Sequence, residues 1–214
     1  MENLKINSKS LHLFSTFKLI LASSSPRRKS LIEKSGISVS IRKPRSSENW
    51  VKSDSILENL KRISYEKASS VTFASRTEMN LILAADTVVV SPDNKIFGKP
   101  KSNQDARNML QCLSGRDHYV WTGYCLIGHN KNLSKIIYNV TCSKVRFRTI
   151  ESDEITWYLN TKESDDKAGA YAIQGYGAGF VKKIVGSYSN IVGLPMAEFI
   201  LDLNRVLKRL NRKN

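Results

Sequence analysis

Lys18-Leu-Ile-Leu-Ala-Ser-Ser-Ser-Pro-Arg-Arg28 brings together residue types that can hold a chain of phosphates. The apolar run from Leu19 to Ala22 predicts a buried strand, which stops at Ser23, Ser24 and Ser25. Ser25 suits an N-cap, and Pro26 suits the first helical position, where its missing N–H costs nothing. A helix starting there turns free backbone N–H groups and a partial positive charge toward the strand's end. Arg27 and Arg28 add guanidinium forks that match phosphate oxygens. An ordinary strand-to-helix turn with solvated arginines would look the same in isolation, so other segments must decide.

Residues 81–90, Leu-Ile-Leu-Ala-Ala-Asp-Thr-Val-Val-Val, set one carboxylate in an otherwise apolar strand. A carboxylate ionised in such a place needs a cation, a metal or hydrogen bonds to offset its desolvation. A structural salt bridge meets that need, and so does a metal-binding or proton-accepting Asp86. Thr87 falls on the opposite face of a regular strand, unless a local bend turns both residues the same way. In Phe97-Gly-Lys-Pro-Lys-Ser102, Gly98 permits close backbone approach and Lys99 offers a compact positive charge. No GxxxxGK[ST] is present, which excludes a P-loop NTPase. The third cluster, Asp165 to Gly179, threads Tyr171, Ile173 and Tyr176 among closely spaced glycines. Gln174 there presents a donor and an acceptor together, as the edge of a nucleobase requires. Asp166 and Lys167 form a structural pair or frame a phosphate site.

The elements that must position these residues alternate between apolar runs and helical periodicity, which predicts an α/β fold. Strands are expected near Lys18–Ala22, Ser38–Ile41, Leu81–Val90, Lys95–Phe97, His118–Gly128, Lys135–Phe147, Ala170–Ile173 and Phe180–Ile184. The polar turn at 129–132 makes the two long strands around it a hairpin. Helices fit Pro26–Ser35, Ser53–Ala74, Asn103–Leu113, Asp153–Leu159 and Pro195–Leu210, with Ser102 and Asp105 resembling a capping box. Gly186 to Pro195 reads as an ordered loop feeding the last helix. Hairpins together with crossovers imply a mixed sheet.

The chain has 214 residues, 41% of them hydrophobic, enough for one large domain or two lobes sharing a sheet. No apolar run approaches a membrane span, and the first residues lack the features of a secretory signal. Residues 1–17 are expected to form a poorly ordered N-terminal extension before a single domain over 18–214. Cys112, Cys125 and Cys142 are odd in number and widely spaced, which predicts free thiols and a cytoplasmic location. His12, His118 and His129 have no metal-ligand spacing, and His118 is expected at the surface. The formal net charge of +15 raises a nucleic-acid partner, but the basic residues are dispersed and would equally suit a polyanionic small substrate.

Taken in order, LASSSPRR, EKA (66–68), AADTVV, GKP, LSGRDHYVWTG (113–123), DKAGAYAIQG (166–175) and GSYSNIVGLP (186–195) resemble the Maf family of nucleotide pyrophosphatases. The resemblance runs from Lys18 through the C-terminal helix. It implies an elongated mixed sheet flanked by helices, with two lobes and a central cleft. It also implies hydrolysis of nucleoside triphosphates to monophosphate and pyrophosphate with a divalent cation, Mg²⁺ or Mn²⁺. By it, Asp86 is the proton acceptor; Arg27, Thr87 and Gln174 take the specificity positions; Ser23, Arg28, Glu48, Lys67, Lys99 and Lys167 take other polar cleft positions. SPRR with IQG is similar to the branch acting on dTTP and UTP, not the branch that favours 7-methyl-GTP. Where the family carries an acidic stretch, this chain reads Arg45-Ser-Ser-Glu-Asn-Trp50, so Glu48, a metal ligand beside Asp86, has altered neighbours. The resemblance further implies a nucleotide substrate, no stable nucleic-acid partner, no membrane, and a homodimer among the expected assemblies.

Competing readings are a broad-specificity triphosphate pyrophosphatase, a nucleic-acid or ribosome-binding module, and a septum regulator acting through protein contacts. A nucleic-acid module gives no reason for the Asp86 carboxylate.

Overall fold

A computed structural model describes residues 17–72, 79–130 and 133–211. The expected N-terminal extension, the last residues of the expected helix to Ala74 and the tip of the 129–132 turn lie outside them. The seven strands described are β1 Lys18–Ala22, β2 Val39–Arg42, β3 Asn80–Val90, β4 Ile96–Phe97, β5 Asp117–His129, β6 Ser134–Phe147 and β7 Val181–Val185. Helices are α1 Pro26–Lys34, α2 Ile56–Ser69, α3 Asn103–Leu113, α4 Ser152–Asn160, α5 Tyr188–Val192 and α6 Met196–Leu210. The sheet order is β2-β1-β3-β5-β6-β7, with β4 on β3. It is mixed: β1 runs parallel to β2 and β3, whereas β4 is antiparallel to β3 and β7 to β6. The α/β class and mixed sheet read from the sequence are therefore present.

The chain divides into two compact units, one of residues 1–85, 124–139 and 196–214, the other of 86–123 and 140–195. In the first, β1 is buried from Leu19 to Ala22, as befits a strand with a neighbour on each side. Ile20, Ala22, Ala68, Val71, Ile82, Ala84 and Cys125 make a buried cluster there, and burial pushes the Cys125 thiol up to about 12. Helix α6 buries Phe199, Leu203, Val206, Leu207 and Leu210, the stripe of a helix laid on one apolar surface. A Cβ on Gly128 would strike Val206, Leu210 and Leu81, so this glycine sets how closely α6 approaches β5. Asp202 is 3% exposed and accepts from the Tyr124 hydroxyl at 2.6 Å and from Arg205 at 2.8 Å.

The second unit buries Ala106, Met109, Leu110 and Leu113 of α3 and Ile155, Tyr158 and Leu159 of α4. Its aromatic centre joins His118, Phe147, Tyr171, Phe180 and Tyr158 edge to face. His118 is fully buried, not at the surface as expected. It follows a charged pair in sequence, but the alternation of β5 turns it inward between Asp117 and Tyr119.

Two further expectations are corrected. No strand forms over Ala170–Ile173, because Gly169 and Ala170 adopt φ of +70° and +60° within a tight turn at Ala168–Ala170. The 186–195 segment contains α5, started by the Ser187 hydroxyl, which accepts the Asn190 N–H at 3.2 Å. Among the described residues no helix is long and apolar enough to cross a membrane.

Candidate active site

The candidate residues fall into both units, and each group has its own geometry. In the first unit, Ser25 caps α1 by accepting the Arg28 N–H at 3.5 Å, with Pro26 opening the helix. Ser23, 6% exposed, accepts from the Ser25 N–H at 3.1 Å and from the Arg28 guanidinium at 3.4 Å. Thus the strand end, the cap and Arg28 form one hydrogen-bonded turn, with Arg27 half-buried on the same first turn. The capping box of α2, in which Ser55 and Glu58 exchange bonds of 3.2 and 2.8 Å, fixes the start of the helix that carries Lys67. Lys67 is 4% exposed, and its ammonium lies 2.8 Å from Glu48. A buried ammonium needs such a partner, and Glu48 supplies it although the neighbours of Glu48 depart from the expected pattern.

In the second unit, Asp86 sits half-buried in the middle of β3. Thr87 lies with its hydroxyl 2.9 Å from that of Thr122, which donates to the Asn190 carbonyl at 2.9 Å. A hydroxyl has one proton, so Thr122, which gives its own to the Asn190 carbonyl, accepts from Thr87. Asn190 is itself fixed by bonds to the Val120 carbonyl at 3.0 Å and the Ser143 hydroxyl at 2.9 Å. Asp86 and Thr87 are both half-buried, where the rest of β3 is buried.

The Gly98 carbonyl accepts the Gly169 N–H at 3.1 Å, which ties the Gly98-Lys99-Pro100 turn to the loop carrying Lys167. Lys99 lies 3.7 Å from Asp166 on the exposed surface, and Lys167 donates to the Asp165 carbonyl at 2.8 Å. Asp166, the residue before Lys167, adopts φ of +58°. Gln174 is exposed at a turn between Tyr171 and the tight helical segment Tyr176–Phe180.

Sequence motifs alone do not reveal the bonds made by Thr122, Asn190 and Glu163. Thr122 and Asn190 stand inside motifs already singled out, yet their pairing spans 68 residues of chain. Glu163 has no local signature at all. Among the described residues no group of three or more His, Cys, Asp or Glu side chains could form a metal cage. Mg²⁺ usually keeps several waters and takes one or two carboxylates plus substrate phosphates, so a full protein cage is not required for it.

The family profile described as Maf-like protein matches residues 18–206. The chain belongs to the Maf family. Every candidate residue falls inside the matched span. The Maf relatives include a protein of Clostridioides difficile (strain 630), 45% identical over 179 residues, covering 84% of this chain and 90% of that protein. Another, from Syntrophus aciditrophicus (strain SB), is 42% identical over 185 residues, covering 86% and 88%. A third, from Pyrococcus furiosus, is 41% identical over 195 residues, covering 90% and 98%. Each of the three is named a dTTP/UTP pyrophosphatase.

Proposed function

We propose that this Maf-family chain hydrolyses dTTP and UTP to the nucleoside monophosphate and pyrophosphate. The observation that carries the reading is the name shared by relatives at 41–45% identity over nearly their whole length. The geometry supports it through a turn carrying basic side chains in each unit and one half-buried carboxylate. A water oxygen attacks the α-phosphorus, its proton passes to Asp86, and the bond from the α-phosphorus to the α–β bridging oxygen breaks, releasing pyrophosphate. Arg27, Arg28, Lys67 and Lys99 bind the phosphate oxygens and stabilise the charge that grows on the departing group. Ser23 holds Arg28 in place; Lys167 adds a further positive charge. Gln174 reads the base edge, with Thr87 at another specificity position of the resemblance. A divalent cation bound with the nucleotide supplies Lewis-acid polarisation of the phosphoryl oxygens, with Asp86 and Glu48 as the protein carboxylates it would use. Removal of pyrimidine triphosphates, standard or modified, in the cytoplasm is the setting this chemistry fits.

A purified-protein screen of canonical and modified triphosphates, with pyrophosphate as readout, tests the reading. The expected result is release from dTTP and UTP above the purine nucleotides, lost on addition of EDTA and restored by excess Mg²⁺ or Mn²⁺. Equal release from all nucleotides would favour the broad-specificity alternative. No release from any of them would overturn the proposal.

A further inference from the structure

The Glu163 carboxylate lies beneath the turn that presents Gln174. It accepts the backbone N–H of Tyr176 at 2.7 Å and of Gly177 at 2.9 Å, the first two free donors of the tight helical segment Tyr176–Phe180. It also accepts the Tyr158 hydroxyl at 3.1 Å, and that hydroxyl accepts the Ala172 N–H at 3.2 Å. The chain of bonds therefore grips the backbone on both sides of Gln174, at Ala172 before it and at Tyr176 and Gly177 after it. A Cβ on Gly175 would overlap the carboxylate, so the glycine after Gln174 is what admits Glu163 under the turn. Tyr158 is anchored in turn by its ring, edge to face with Phe180 at 5.0 Å.

We propose that Glu163, with Tyr158 as its second arm, is a positioning residue that sets base discrimination by holding the Gln174 turn. The inference rests on the function proposed above and goes beyond it, since Glu163 touches no substrate in that scheme. Exposed glycine-rich turns sample many conformations; a charged acceptor for two backbone donors selects one of them before the base arrives.

Glu163→Ala, Glu163→Gln and Tyr158→Phe are compared with the unsubstituted chain for KM and kcat on dTTP, UTP and purine triphosphates. Loss of charge-assisted bonds predicts about a tenfold rise in pyrimidine KM for Glu163→Ala and about a tenfold narrowing of base preference, with kcat within about twofold. Glu163→Gln, which keeps one acceptor oxygen, is expected to recover part of both. In a Gln174→Ala background, Glu163→Ala should change the preference little further, because the two act as one unit. Should Glu163→Ala fail to fold, Tyr158→Phe decides, since it keeps the ring and removes the hydroxyl alone; about a threefold narrowing is expected there. Unchanged base ranking in the folded variants of an enzyme that does discriminate would overturn the positioning role and leave the activity intact. No pyrophosphate release from the unsubstituted chain would overturn the activity, and the positioning role with it.

Discussion

Asp86→Asn should lower kcat for pyrophosphate release by about 10²–10⁴-fold while nucleotide binding stays within about threefold. The substitution keeps the side chain's size and its place in the middle of β3. Asparagine also keeps hydrogen-bonding capacity, so the half-buried site is not emptied and stability should move by no more than about 1 kcal/mol. What it removes is the negative charge and the ability to take up a proton. The bonds from Thr87 to Thr122 and from Thr122 to the Asn190 carbonyl do not use the Asp86 side chain. Stopped-flow or coupled pyrophosphate assays, with calorimetric titration of a non-hydrolysable analogue, separate the two effects. Near-normal turnover in a folded Asp86→Asn protein would remove Asp86 from the chemistry.

Lowering the pH from 7 to 4.5 should cost the protein about 2–3 kcal/mol through His118 alone. Burial pushes its imidazole down from 6.5 to about 4, with Asp117 pulling weakly the other way. The ring is closed in by Phe147 at 4.7 Å and bonded through Nε2 to the Tyr171 hydroxyl at 2.9 Å. In the unfolded chain the same imidazole titrates near 6.5, so between about 6.5 and 4 the unfolded state binds a proton that the folded state refuses. Stability is therefore full above 6.5 and falls as the pH drops through that window. Asp93, held low by Arg116, and Asp117, held low by Lys144, surrender their contributions at more acid pH, so the measurement is confined to pH 4.5 and above. Urea unfolding of the wild type and of His118→Phe across this range measures the effect. The wild type should show an extra uptake of about one proton; equal slopes in the two proteins would contradict it.

Local chemistry made most of the fold legible. β1 was readable to the residue, because an uninterrupted apolar run ends at serines that cannot extend it. Helix α3 was equally clear from its periodicity, although Asp105 bonds the Lys101 N–H at 2.9 Å in place of closing a reciprocal box with Ser102. The start of α2 was misread at Ser53, while the Ser55–Glu58 spacing stood two residues further on. What stayed hidden was of another kind. His118 turns inward through strand alternation that its charged neighbours mask, and the Ala170–Ile173 segment fails as a strand through left-handed backbone at Gly169 and Ala170. Among the candidate residues, Ser23 bonds Arg28 and Lys67 pairs with Glu48, contacts that their separate motifs do not announce. The clamp of Glu163 on the Tyr176 and Gly177 backbone crosses 13 and 14 residues and leaves no periodic trace.

Isotope placement reaches the proposed chemistry most directly. Hydrolysis of UTP in water enriched in ¹⁸O, followed by mass spectrometry of both products, locates the phosphorus that water attacks. Label in the uridine monophosphate and none in the pyrophosphate is the predicted result. Label in the pyrophosphate, or release of orthophosphate instead, would contradict attack at the α-phosphorus.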